Sequence, residues 1–119
     1  SIMQGAIGMQ FYFIVAPETV VAEDLADAIR AFDPEATVKT FRAENDALAG
    51  LEVMRPRLLI LSREPDGFPA TPLGRAVVAT GVPIAFLGTF AGGRQDETVV
   101  LSSPFSDETV AALLRGLNA

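Results

Sequence analysis

The stretch PRLLILSREPDG, residues 56–67, decides the fold prediction. Its four consecutive apolar residues, 58–61, are typical of a strand that is buried on both faces, as in parallel sheets. The apolar run ends at Ser62, and a loop that contains acidic residues, proline and glycine follows. A buried strand that stops at a polar residue often delivers that residue to an active site. The stretch therefore predicts a central strand with Ser62 at the edge of a sheet.

Four further strands and four helices are predicted around this strand, with helices between most of them. Apolar and β-branched runs predict the strands, and apolar side chains at helical spacing predict the helices. The predicted strands cover residues 11–15, 37–41, 82–88 and 98–105. The predicted helices begin with Pro17 in a first turn and with Asn45, Thr71 and Ser106 as caps. They end at Phe32, before Pro56, at Ala79 ahead of Gly81, and at Leu117.

This alternation predicts an α/β domain with a parallel sheet that helices cover on both faces. Right-handed crossovers favour the doubly wound flavodoxin-like arrangement of five strands in the order 2-1-3-4-5. The segment between Gly88 and Thr98 is short and contains two adjacent glycines. We therefore expect that the fourth helix of this arrangement, the one between the fourth and fifth strands, is shortened or missing. Residues 10–119 form the predicted domain. Residues 1–9 are assigned to an N-terminal extension. The alternative for part of this extension is that it comes from the expression vector.

Composition excludes several classes of site. The 119 residues include no cysteine and no histidine, which removes disulfides, thiolate nucleophiles, Cys/His zinc sites and histidine bases. The net charge is −6, and the arginines are scattered along the sequence, so nucleic acid and acidic membrane surfaces are not expected partners. No apolar run approaches the ~20 residues that span a bilayer. We expect a cytoplasmic protein.

Four segments resemble the receiver domain of bacterial response regulators, and the resemblance spans residues 10–118. FIVAPE (13–18) resembles the first strand and the acidic turn after it, and PRLLILSREPDG resembles the third strand and its loop. VPIAFLGT (82–89) resembles the fourth strand, and SSPF (102–105) resembles the Lys-Pro-Phe segment after the fifth strand.

The resemblance implies a phosphorylation site from which this chain departs. In receivers an aspartate after the third strand accepts the phosphoryl group, and an acidic pair after the first strand holds Mg²⁺. A Ser/Thr and a lysine contact the phosphoryl group. Here serine replaces both the acceptor aspartate and the lysine. Alanine and proline replace the acidic pair, and glycine replaces the Ser/Thr. The resemblance thus implies a degenerate receiver, a pseudo-receiver, with vestigial positions Ala16, Pro17, Glu18, Ser62, Gly88 and Ser103.

Two chemical alternatives remain open for the same residues. A serine hydroxyl is a weak nucleophile without an adjacent base, and Glu18 and Glu64 are the candidate bases. Arg63 is expected to pair with these carboxylates. Glu18, Glu64 and Asp66 are also candidate ligands for Mg²⁺, although acidic residues on two loops are more often solvated surface. We expect no enzyme activity, no metal and no cofactor.

The predicted function is signal transduction through contact with a protein partner, with a homodimer as one form of that contact. Phe90, which lies near two glycines, and Phe105 are the candidate interface residues; packing against the sheet is the alternative for both. The acidic face of the first helix, with Glu23, Asp24 and Asp27, is expected to be solvated, and a basic partner for it stays open. The alternative function is a sensor that binds a small molecule or nucleotide beside Ser62, Thr89 and Ser103.

Overall fold

The computed structural model describes residues 10–88, 99–102 and 104–117. Its strands are β1 Phe11–Val15, β2 Thr37–Phe41, β3 Leu58–Leu61, β4 Ile84–Gly88 and β5 Val100–Ser102. The α-helices of the described residues are α1 Thr19–Phe32, α2 Glu44–Leu51, α3 Pro72–Thr80 and α4 Asp107–Gly116, and a 3-10 turn, Phe68–Ala70, precedes α3. No helix in these ranges is long and apolar enough to cross a membrane.

The five strands form one parallel sheet in the order β2-β1-β3-β4-β5, which confirms the predicted flavodoxin-like arrangement. The register places Val15 beside Leu61 and Gly88 beside Ser102. The carboxyl ends of the strands therefore meet at one edge, which we call the rim. The predicted shortening of the fourth helix, and with it Phe90, falls on residues 89–98, outside the described residues. The assignment of residues 1–9 lies outside them too.

Side chains that alternate along the central strands build a core on each face of the sheet. Tyr12 and Ile14 of β1 pack with α1 and α4, and this set is the α1/α4 core. Phe13 and Val15 pack with α2 and α3 to form the α2/α3 core. All four residues of β3 are at most 1% exposed. Since burial of a large apolar side chain stabilises a protein by about 1.5–3 kcal/mol, the central strands carry much of the fold's stability.

The predicted bounds of the first two helices need correction. α1 begins at Thr19 with Glu18 at its N-cap, so Pro17 precedes the helix instead of lying in its first turn. α2 begins at Glu44 with Ala43 at the N-cap, and Asn45 is an exposed residue of the helix, not its cap. Glu44 and Asp46 in the first turn interact favourably with the helix dipole, which compensates for the missing cap side chain.

α2 also ends earlier than predicted, at Leu51 instead of continuing to the residues before Pro56. The Arg55 guanidinium donates a hydrogen bond to the Leu51 carbonyl, which satisfies an acceptor left open at the helix end. Met54 still packs against the α2/α3 core although it lies beyond the helix. The apolar spacing was therefore a correct signal for burial but overestimated the length of the helix.

The signals at the ends of α3 and α4 are confirmed. Thr71 accepts a hydrogen bond from the Gly74 N–H at 2.9 Å, and Gly81 closes α3 with a left-handed φ of 74°. Ser106 accepts from the Thr109 N–H at 3.2 Å, while the Ser106 N–H donates to Thr109 Oγ1 at 2.9 Å. β4 begins at Ile84, two residues later than the run that predicted it, and β5 covers Val100–Ser102 of the predicted run 98–105.

Candidate functional site

The rim brings together residues that follow β1 and β3. The Ser62 N–H donates to the Val15 carbonyl at 2.8 Å, and the Ala16 N–H donates to the Phe41 carbonyl at 2.9 Å. These bonds continue the sheet by one residue past the ends of β1 and β3. Ala16 and Ser62 therefore lie on adjacent segments of the sheet at the rim.

The vestigial positions at the rim carry little charge. Ala16 is 1% exposed and its methyl group belongs to the α1/α4 core. Ser62 and Gly88 are half-buried, whereas Pro17 and Glu18 are exposed. Of these described positions Glu18 alone has an ionisable side chain, and the remaining vestigial position, Ser103, lies outside the described residues. The geometry of the rim is present, but its described vestigial positions contribute a single carboxylate, that of Glu18.

Ser62 has no base beside it in the described part of the chain. Its N–H donates a hydrogen bond to the Val15 carbonyl. Its hydroxyl forms no hydrogen bond with Glu18, with Glu64 or with any other described residue. A hydroxyl without a base remains a weak nucleophile. Glu18, Glu64 and Asp66 do not converge either, since no three acidic side chains within the described ranges lie close enough to share a metal ion.

Arg63 organises the loop after Ser62, but through a carboxylate that the sequence did not indicate. Its Nη1 donates to Glu44 Oε2 at 3.2 Å, across from the start of α2. Its Nε donates to the Glu64 carbonyl at 2.9 Å, and its Nη2 donates to the Asp66 carbonyl at 3.1 Å. The guanidinium also lies 5.5 Å from the centroid of the Phe68 ring. The prediction that Arg63 pairs with the carboxylate of Glu18 or Glu64 is therefore wrong.

The signal that locates Glu44 is topological. A helix that follows a parallel strand begins at the carboxyl edge of the sheet, and the loop after the next strand begins at the same edge. Glu44 and Arg63 are 19 residues apart in sequence, so local patterns cannot relate them. The parallel sheet places both residues at the rim, and their side chains meet there although β1 lies between β2 and β3.

Tyr12 belongs to the opposite edge of the sheet. Burial raises the pKa of its phenol above the ordinary value of 10.0, the charge of Asp33 raises it further, and Arg57 acts in the opposite direction. Tyr12 lies near the start of β1 and its side chain is in the α1/α4 core. Its raised pKa is thus a consequence of packing, and the residue is no part of the rim.

Phe105 is half-buried and packs against the α1/α4 core, which supports the packing alternative for this residue. One side of it still faces a surface groove of about 420 Å³ between α1 and the segment that leads into α4. We call this feature the acidic groove. The described residues that line it are three aspartates and three apolar residues: Val21, Asp24, Asp27, Pro104, Phe105 and Asp107.

No protein-family model and no curated protein matches this sequence. Solved structures do match it. The chemotaxis response regulator CheY4 of Vibrio cholerae is 20% identical, with 92% of this chain and 98% of that chain covered at a TM-score of 0.71. SdrG from Sphingomonas melonis Fr1 is 27% identical, with 94% and 98% covered and a TM-score of 0.71.

PhyR from Bartonella quintana, described as an anti-anti-sigma factor, is 18% identical with a TM-score of 0.72. The match covers 92% of this chain and 47% of that one, so the chain spans about half the length of PhyR. The likenesses to CheY4 and PhyR at these identities concern the fold. Together with the strand order, the matches identify the chain as a receiver-like domain.

Proposed function

We propose that this chain is a pseudo-receiver, which acts in signal transduction through contact with a protein partner and does not accept a phosphoryl group. One observation carries the proposal: the acceptor position is Ser62, half-buried and without a carboxylate that accepts a hydrogen bond from its hydroxyl among the described residues. Transfer to a carboxylate requires that carboxylate as nucleophile, and a metal must neutralise the transferring group. The methyl group of Ala16 and the ring of Pro17 supply neither charge nor metal ligands.

The similar structures support a protein as the partner. They include a response regulator and an anti-anti-sigma factor, and both descriptions refer to action within regulatory systems. A second copy of this chain is one candidate partner. The absence of cysteine suits a reducing compartment, and we place the proposed activity in the cytoplasm.

An amide NMR titration tests whether the rim is inactive. Mg²⁺ and then beryllofluoride, a phosphoryl mimic, are added to the ¹⁵N-labelled protein. We expect no shifts at Ala16, Ser62 and Gly88, because the acceptor position, Ser62, has no carboxylate to which beryllium could bind. SdrG is the matched positive control, since a beryllofluoride-activated conformation of it has been solved. Saturable shifts at the three residues would overturn the proposal.

A sensor that binds a small molecule at the rim is the second candidate. The observation that favours it is the half-buried Ser62 hydroxyl, which has no hydrogen-bond partner among the described residues and is free to bind a ligand. A ligand present at a hundredfold excess over its Kd stabilises the folded state by about 2.7 kcal/mol. A panel of nucleotides in thermal unfolding separates the two candidates. A rise in Tm that Ser62→Ala abolishes would favour the sensor.

A further inference from the structure

The loop after β3 contains Asp66-Gly67, the single Asp-Gly pair in the sequence. The Phe68 N–H donates to the Pro65 carbonyl at 3.1 Å, which closes a turn across these two residues. Gly67 has a φ of 76° and a ψ of −8°, the values of the third residue of a type II turn. Asp66 and Gly67 are both exposed, and a Cβ added to Gly67 would meet no described atom beyond its chain neighbours within 4 Å. The peptide bond between them therefore lies in open space.

The carboxylate of Asp66 and the N–H of Gly67 have no partner within the described ranges. The carboxylate forms no ion pair or hydrogen bond there, and the N–H donates to no described acceptor. Of the other described aspartates, four lie in helices and one precedes a proline, which has no N–H: Asp24, Asp27, Asp46, Asp107 and Asp33. Asp66 is thus the described aspartate that combines a free carboxylate with a following glycine.

An aspartate that precedes glycine can close a ring with its own main chain. The Gly67 nitrogen forms a bond to Cγ of the protonated Asp66 carboxyl group, the Cγ–OH bond breaks, and the hydroxyl group leaves with the amide proton as one water. Water then opens this cyclic imide at either carbonyl. One opening restores aspartate, and the other gives isoaspartate, in which the main chain runs through Cβ and Cγ. Glycine favours the closure because it has no Cβ to shield its nitrogen.

The closed turn holds the two reacting atoms apart. The second residue of a type II turn has a ψ of about +120°, which places the following nitrogen away from Cβ. Ring closure requires the Gly67 nitrogen to rotate about the Asp66 Cα–C bond until it lies beside Cβ. That rotation breaks the hydrogen bond between Phe68 and Pro65. The reaction therefore proceeds from an opened turn.

Arg63 stabilises the closed form of the turn. Its Nη2 donates to the Asp66 carbonyl at 3.1 Å, and its Nε donates to the Glu64 carbonyl at 2.9 Å. Its Nη1 is anchored to Glu44 Oε2 at 3.2 Å. The Asp66 carbonyl oxygen and the Gly67 nitrogen belong to one planar peptide group, so rotation of the nitrogen carries the oxygen away from Nη2. Opening of the turn thus costs the bond to Arg63 as well.

We propose that Asp66 is a site of isoaspartate formation, and that the hydrogen bonds of Arg63 limit the rate by keeping the turn closed. The product has a free α-carboxylate and a main chain one carbon longer, which makes it a substrate for protein carboxyl methyltransferases that act on isoaspartate. The added carbon precedes Phe68, whose ring is 3% exposed and packs edge-on against Phe86 at 5.4 Å. Isomerisation therefore loosens this anchor of the loop that follows Ser62. The inference does not depend on whether the rim accepts a phosphoryl group.

Ageing of the purified protein at physiological temperature and pH tests the site. The probe for isoaspartate is a purified isoaspartate carboxyl methyltransferase with labelled S-adenosylmethionine, and peptide mass spectrometry with electron-transfer fragmentation locates the modified residue. We expect isoaspartate to accumulate slowly at Asp66. Asp66→Glu keeps the charge but needs a larger ring, so it should lose the signal. Amide NMR of the aged protein should show new signals for Arg63 and Phe68.

Matched variants test the role of Arg63. Arg63→Ala should raise the rate at Asp66 by about five- to thirtyfold, because the lost hydrogen bonds increase the population of the opened turn. Arg115→Ala removes an exposed arginine on α4 and should leave the rate unchanged. Val110→Ala destabilises the α1/α4 core on the other face of the sheet without touching the loop, and it should also leave the rate near that of the wild type.

The remaining outcomes also decide the proposal. Absence of isoaspartate at Asp66 from both the wild type and Arg63→Ala would refute the site, and equal rates in these two proteins would refute the role of Arg63. Acceleration by Val110→Ala as large as that by Arg63→Ala would show that the reaction follows global unfolding, which also overturns the proposal. Isoaspartate at Asp66 in Arg63→Ala alone would support it as the limit of a fully closed turn. The beryllofluoride titration of unaged protein judges the proposed function separately.

Discussion

Ser62 illustrates how a receiver-like position persists without its chemistry. Its N–H donates to the Val15 carbonyl at 2.8 Å, a contact that does not depend on which side chain the residue carries. The apolar strand before it is held by burial on both faces. The scaffold at the rim therefore depends on backbone and core, whereas phosphoryl transfer depends on a carboxylate. The first can be kept when the second is lost.

Arg63→Ala is predicted to destabilise the protein by about 1–2 kcal/mol, because the charged hydrogen bond to Glu44 and two bonds to loop carbonyls are lost together. The Arg63 side chain is 28% exposed, so solvent screens the pair only in part. Urea unfolding measures the change.

Arg115→Ala is the matched control for this change, because Arg115 is exposed on α4 and its removal should alter stability by less than about 0.5 kcal/mol. Arg63→Lys keeps the charge but loses the planar guanidinium. Its loss of stability should therefore lie between the losses of the Arg63→Ala and Arg115→Ala variants. Equal stability of the Arg63→Ala and Arg115→Ala variants would show that Arg63 does not brace the loop.

At the scale of elements, strands were easier to predict than helix ends. The runs that became β1 and β3 are apolar throughout, since both faces of a central parallel strand are buried. α2 was harder because Ala43, which has no capping side chain, occupies its N-cap. The side chain of Asn45 was a plausible cap in isolation, but the contact of Glu44 with Arg63 and the packing of Ala47 favour a helix that starts two residues earlier.

Gly74→Ala tests the junction between the 3-10 turn and α3. A Cβ atom at residue 74 would lie 2.0 Å from the Phe68 carbonyl oxygen and 2.9 Å from Pro69 Cα. Both are backbone atoms, so no side-chain rotation relieves the overlap. Alanine favours a helix over glycine by about 1 kcal/mol, but overpacking exceeds this gain. We expect a net loss of about 1–3 kcal/mol in the free energy of unfolding.

Gly116→Ala is the control for that prediction, because among the described residues no atom beyond its chain neighbours and its own helix backbone lies within 4 Å of the added Cβ at the end of α4. Its stability should stay unchanged or rise by up to about 1 kcal/mol through helix propensity alone. Thermal or urea unfolding of the two variants compares them directly. Equal stabilisation by Gly74→Ala and Gly116→Ala would contradict the prediction. It would show that the 3-10 turn and α3 move apart without cost.

For the molecule as a whole, the sequence predicted strand order but not the features that depend on long-range proximity. The parallel order followed from the alternation of elements and the handedness of crossovers. The acidic groove joins Val21 and Asp24 of α1 to Phe105 and Asp107, more than eighty residues later in the sequence. Separately these residues indicate one solvated helix face and one packed aromatic ring. Only the packing of α1 beside α4 makes them a single surface.

The position of a strand in the sheet should determine how well its amides are protected from hydrogen exchange. The Leu59 N–H donates to the Pro83 carbonyl at 3.0 Å in the centre of the sheet, and the Thr37 N–H donates to the Gln10 carbonyl at 2.8 Å at its edge. Bond length alone favours Thr37. Leu59 is fully buried, however, while Thr37 is exposed, so we expect Leu59 to exchange only through global unfolding and Thr37 through local opening.

Native-state exchange followed by NMR measures both opening free energies, and the value for Leu59 should equal the stability from urea unfolding. Thr37 should open at a clearly lower free energy that does not depend on protein concentration. Equal protection of the two amides would contradict the prediction that the edge strand β2 opens locally. If Thr37 became protected only at high concentration, a second copy would be adding its strand to β2, and self-association would use the sheet edge.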